Sequence, residues 1–177
     1  MELTRRDAVA ALATLGVGGG AALGVGWLGR DPDADGGVDA ERIRETQVAA
    51  AAVVYPSEVS GTREFVETFL EGRLEQPAHA TALEEAVAEL DDRAKSWYDD
   101  AFAALSVADR ERVLEQVGAD TADEDPDGTT AERIRYYVVN ELLLALYASP
   151  TGGELVGLEN PQGHAGGLET YRRGPEA

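Results

Sequence analysis

The side chains able to carry chemistry are few in kind and scattered along the chain. Its two histidines, His79 and His164, stand far apart at no metal-ligand spacing, so each reads as a structural or solvated residue. Cysteine is absent, which excludes thiolate nucleophiles, disulfides and sulfur-bound zinc or iron–sulfur clusters. Asp31, Asp33, Asp35 and Gly36, and again Asp123, Asp125, Asp127 and Gly128, match the opening of an EF-hand calcium loop. The closing bidentate glutamate is missing from both, because Arg42 and Ile134 occupy its position. Both runs therefore read as solvated acidic loops. Gly163-His164-Ala165-Gly166-Gly167 could bring a histidine and bare backbone close to a cofactor, but such glycines more often permit a turn. Carboxylates are too numerous for a catalytic pair to stand out among 34 acidic residues. Asn140 and Glu141 interrupt the most apolar stretch, and an inner polar pair of this kind fixes packing more often than it performs catalysis. These residues make no catalytic, metal or cofactor site, so the chain reads as a protein without an activity of its own.

The elements that must position them are all helical. Glu132–Pro150 is the longest nearly continuous apolar run outside the N-terminus, with only Asn140 and Glu141 interrupting it between Tyr136 and Ala148. A helix apolar on almost every side has to be covered on almost every side, which makes it the centre of a small bundle. Thr129 and Glu132 have capping-box spacing at its start. Asp39 caps a helix carrying Ile43, Gln47, Val48 and Ala51 that stops before Pro56. Ser60 or Thr62 opens a second, with Phe65, Val66, Phe69 and Leu70 in helical register up to Gly72. Thr81 and Glu84 open a third with Leu83, Val87, Leu90 and Ala94, and Ser106 a fourth that ends at Gly118. The expectation is an all-α bundle of about five helices over residues 39–150. With no strand expected, a strand-linked nucleotide-binding glycine motif is excluded. Residues 151–177, rich in glycine and proline, read as an extended tail laid over the bundle or a partner.

Charge and the N-terminus point to location. The formal net charge is −19, and of 15 basic residues only Lys95 is a lysine. Residues 1–30 hold three arginines against two acids, so the excess of negative charge falls on the rest of the chain. Such self-repulsion loosens a compact state at low salt and matters little at molar salt, where the Debye length shrinks to about 3 Å. The composition resembles that of extreme halophiles, and it disfavours binding to nucleic acid or an anionic membrane by charge. Thr4-Arg5-Arg6-Asp7 precedes an uncharged stretch from Ala8 to Leu28, and residues 1–30 resemble a twin-arginine translocation signal, although Ala8 stands where phenylalanine is usual. The alternative is a plain membrane anchor, since that stretch can just span a bilayer. Residues 31–38 form an acidic Gly/Asp/Pro linker.

Taken together, these features resemble the gluconate 2-dehydrogenase subunit 3 family, the small third subunits of membrane-associated flavoprotein dehydrogenases. The likeness rests on the twin-arginine N-terminus, on Val53-Val54-Tyr55-Pro56 closing the first helix, and on Phe102-Ala103-Ala104-Leu105-Ser106 before a short helix. Its strongest part is Leu146-Tyr147-Ala148-Ser149-Pro150-Thr151-Gly152-Gly153, with Asn160-Pro161 and Gly166-Gly167 in the tail. The resemblance implies an accessory subunit with no cofactor of its own. Its partner would be an FAD-containing dehydrogenase of the glucose–methanol–choline type, with a cytochrome subunit completing the complex in some cases. It further implies maturation of that enzyme and export of the folded pair by the twin-arginine translocase to the outer face of the membrane or beyond. Arg5 and Arg6 would be the signal, and Tyr136, Tyr137, Tyr147 and Tyr171 the candidate anchors, since tyrosine joins a large apolar contact to a polar tip. The competing reading is an exported, membrane-anchored helical structural or binding module with no oxidoreductase partner.

Overall fold

A computed structural model describes residues 1–15 and 38–156; Asp31–Gly36, His164, Tyr171 and the greater part of the tail lie outside the described residues. The architecture is all-α. Helices α1 (Arg5–Leu15), α2 (Ala40–Val54), α3 (Thr62–Leu74), α4 (Pro77–Tyr98) and α5 (Val107–Val117) are bundled with one continuous helical rod, on which α1, α2 and α4 pack directly, while α3 and α5 pack against α2 and α4. That rod is built from α6 (Thr130–Ile134), a π-helical segment (Arg135–Asn140) and α7 (Glu141–Ala148). A 3₁₀ turn (Phe102–Ala104) links α4 to α5, and a short α8 (Pro150–Leu155) follows the rod. The all-α bundle expected is present, with α2, α3, α4, α5 and the rod as the counterparts of the expected helices.

Local chemistry explains most of the boundaries. The Asp39 carboxylate accepts from the amide of Arg42 at 3.0 Å, and Ser106 Oγ accepts from the amide of Asp109, each satisfying an orphan donor of a first turn. Thr129 and Glu132 form the full capping box. Gly118 closes α5 in the left-handed conformation at φ 85°, a backbone state without cost for glycine.

Three boundaries differ from expectation. Helix α3 begins after Gly61 at φ 73°, with neither Ser60 nor Thr62 capping it through a side chain, and it passes Gly72 to end at Leu74. Its start is dictated from outside the segment, because a Cβ on Gly61 would lie 2.3 Å from the carbonyl oxygen of Leu3. Helix α4 begins at Pro77, whose fixed φ and missing amide suit a first helical position, so Thr81 lies inside the helix. Beyond the rod, α8 forms where an extended tail was expected: Ser149 Oγ accepts from the amide of Gly152 at 3.0 Å, and Pro150 occupies the first turn.

The core is filled by Ile43, Phe65, Phe69, Leu83, Leu90, Phe102, Ile134, Leu142 and Leu146, all fully buried. Each large apolar side chain so buried contributes about 1.5–3 kcal/mol. Ala49, Ala50 and Ala51 are all buried, so α2 is covered on more than one side, and it packs against α3, α4, α5 and the rod. Asp91, also buried, ties the turn after α4: one oxygen accepts from the amide of Phe102 at 3.0 Å and the other lies 3.7 Å from Arg42 Nε. Arg110 completes that corner by donating to the carbonyls of Phe102 and Ala103.

The N-terminal residues belong to the same body. Leu3, Ala8 and Ala11 are buried, and α1 packs against α3 and α7. No described helix is long and apolar enough to cross a membrane.

Candidate partner-binding surface and the polar cluster behind it

The central rod carries both features that could serve a function. Its inner side holds Glu141, almost completely buried, which is the residue the sequence marks as an intruder in an apolar helix. Arg73 from the end of α3 forms an ion pair with it, donating through Nη2 and, at 3.3 Å, through Nε. His79 from the first turn of α4 places Nε2 2.9 Å from Glu141 Oε1, close enough for ion pairing but misaligned for a hydrogen bond. The His79 ring stacks at a tilt against Tyr137, 5.6 Å between centroids. The cluster therefore joins α3, α4 and the rod at one buried point. A carboxylate so placed is stable only with its partners, since one stripped of them costs several kcal/mol.

Just upstream, the rod widens into its π-helical segment. A π turn departs from the usual i to i+4 bonding, and here the carbonyl of Tyr137 accepts from Gln47 Nε2 at 2.9 Å. Gln47 is itself fully buried on α2, and its Oε1 has no partner. One turn further along, the Tyr55 hydroxyl donates to the carbonyl of Leu142 at 2.9 Å. Burial pushes the Tyr55 phenol pKa well above its ordinary value. Tyr137 is raised as well, chiefly by burial and then by Tyr136, Asp127 and Glu141 nearby.

The outer side of α7 is different in kind. Leu144 and Tyr147, one turn apart and therefore on one face, are 52% and 46% exposed. Leu143 beside them is half-buried. Of the expected anchors among the described residues, Tyr147 alone stands open to solvent. Tyr137 is buried, Tyr136 is half-buried with its ring edge-on to Tyr137 at 4.8 Å, and Tyr171 lies outside the described residues. Tyr137 is thus packed into the bundle, and the exposed apolar residue beside Tyr147 that sequence reasoning did not single out is Leu144. Its position in an unbroken apolar run gave no sign of which side would be left uncovered.

A groove of about 540 Å³ lies between α2, the 3₁₀ turn and α5. Ala49, Ala52, Ala101 and Ala104 line it, with Glu45, Arg63 and Arg110 as its charged residues. It offers no nucleophile and no histidine, and Arg110 is occupied by backbone carbonyls. Among the described residues, no three His, Asp or Glu side chains converge as metal ligands would.

Comparison with known families resolves what this architecture is. The model of the family described as gluconate 2-dehydrogenase subunit 3 matches residues 43–166, well over half of the chain. The chain belongs to that family. The matched region runs from α2 through the rod and into the tail, so it includes Gln47, Arg73, Glu141, Leu144 and Tyr147. No curated protein and no solved structure matches the chain. Membership makes this gluconate 2-dehydrogenase subunit 3 family protein an accessory subunit of a dehydrogenase, in keeping with a fold in which the buried charges are spent on holding helices together.

Proposed function

We propose that the protein is the non-catalytic accessory subunit of a flavin-dependent dehydrogenase of the glucose–methanol–choline type, binding it through the outer face of α7 and supporting its maturation and export. The observation that carries this reading is the exposure of Leu144 and Tyr147 on the most apolar helix of the chain. Leu144 and Tyr147 lie side by side on one face of this helix, and a tyrosine beside an apolar residue is a common interface anchor. FAD belongs to the partner, and a cytochrome subunit fits the same assembly.

Export follows from the same reading. A flavin is loaded where it is made, so the enzyme crosses the membrane folded, and a twin-arginine signal on a tightly bound partner suffices for both. Arg5 and Arg6 are that signal, with the outer face of the membrane or the medium as destination. Replacing both with lysine in the native host should strand this protein and its flavoprotein partner inside the cell. Export of both at the wild-type level would overturn the export role.

A further inference from the structure

The proposed signal does not hang free of the bundle; it is built into it. The N-terminal amino group donates to the carbonyl of Glu58 at 3.0 Å, and Ser60 donates to the carbonyl of Met1 through both amide and hydroxyl. The amide of Leu3 returns a bond of 2.7 Å to the carbonyl of Ser60. Asp7, buried, accepts from the Thr4 amide at 2.8 Å and lies 3.3 Å from the Thr151 hydroxyl, which also reaches the carbonyl of Glu2. Arg5 pairs with Glu64 on α3 at 2.8 Å. Arg5 and Arg6 are exposed, whereas Leu3, Ala8 and Ala11 around them are buried.

We propose that this docked arrangement is an autoinhibitory contact, in which α3, α7 and α8 hold residues 1–15 and thereby withhold the arginine-bearing segment from the translocase. The inference rests on the export reading above. Its physical ground is exclusion: Ala8 and Ala11 begin the uncharged stretch that must enter a translocase or a bilayer, and they cannot do so while buried against α3 and α7. Release requires breaking the Leu3–Ser60 and Asp7–Thr151 contacts together, so the signal is delivered by opening of the dock. Two released or docked populations follow, and anything that favours the open one favours export.

Gly61 and Thr151 allow a test that leaves the signal sequence untouched. A methyl group at Gly61 would meet the Leu3 carbonyl, so Gly61→Ala should push the N-terminus away. Thr151→Val removes the α8 clasp without disturbing the start of α3. In the purified full-length protein, amide exchange at Leu3 and Ala8 should rise at least about tenfold in each variant, with helix content from α2 to α7 kept. In pulse–chase experiments in the native host, both variants should be exported at least about twofold faster than wild type. The contact is not autoinhibitory if the exchange rises and the export rate does not, and it is absent if wild-type Leu3 and Ala8 already exchange at unfolded-chain rates. Arg5→Lys with Arg6→Lys, added to Gly61→Ala, separates the two levels: export surviving that combination removes the signal reading itself, and the gate with it.

Discussion

Gln47 on α2 donates its side-chain amide to the backbone carbonyl of Tyr137, 2.9 Å away, across the one turn of the central rod that is π-helical. The bond satisfies a main-chain acceptor inside the core, where an unmet carbonyl is costly. Gln47→Leu should therefore destabilise the protein by about 1–3 kcal/mol, read as a lower midpoint in denaturant at molar salt. A change below about 0.5 kcal/mol would mean that the π turn finds its own partner.

Glu141 and Arg73 should behave as a pair. Arg73→Met leaves a buried carboxylate facing only His79, and a loss of about 3–5 kcal/mol is expected. Arg73→Met combined with Glu141→Met removes the charge with its partner, so the double variant should recover most of that loss. Strictly additive losses in a double-mutant cycle would deny the coupling.

The pH dependence at the alkaline end follows from Tyr55. Its folded pKa is raised by burial above the ordinary 10.0, so the fold prefers the neutral phenol. That stability is complete below the unfolded pKa and is lost as pH climbs above about 10. Thermal melts from pH 8 to 11 should show the decline, and Tyr55→Phe should flatten it. Glu132 works in the opposite sense, because hydrogen bonds from the backbone and hydroxyl of Thr129 hold its carboxyl below the usual range. Its contribution is present above the unfolded carboxylate pKa and fades on acidification through the folded one.

Much of the bundle could be read from the sequence because its signals are local. Asp39, Ser106, Gly118 and the Thr129–Glu132 box act within a few residues, and the apolar run of the rod announces its own burial. What could not be read depends on contacts distant in sequence. Gly61 adopts its conformation under the carbonyl of Leu3, and Glu141 draws its partners from α3 and α4. The π turn meets Gln47 from another helix, and nothing in Arg135–Asn140 alone predicts it. Tyr137 and Tyr147 look alike in sequence; only the packing around the rod buries one and exposes the other.

Salt should govern stability across the whole molecule. With a net charge of −19, repulsion reaches across the protein at low ionic strength, where the Debye length is about 10 Å at 0.1 M, and is screened at molar salt. Helical circular dichroism and the melting temperature should rise steeply between these limits. A protein equally stable at both would not be adapted to high salt.

We propose that this chain works by holding a flavoprotein against α7. The direct measurement is to purify the tagged protein from its native host at molar salt, as wild type and as Leu144→Asp with Tyr147→Asp, and to determine the flavin content and stoichiometry of what co-elutes. The account predicts one flavin-bearing dehydrogenase subunit per wild-type chain, and a variant that stays helical but elutes without it. A wild-type protein that elutes alone and colourless, while a flavin dehydrogenase of the same cells matures and is exported without it, would contradict the account.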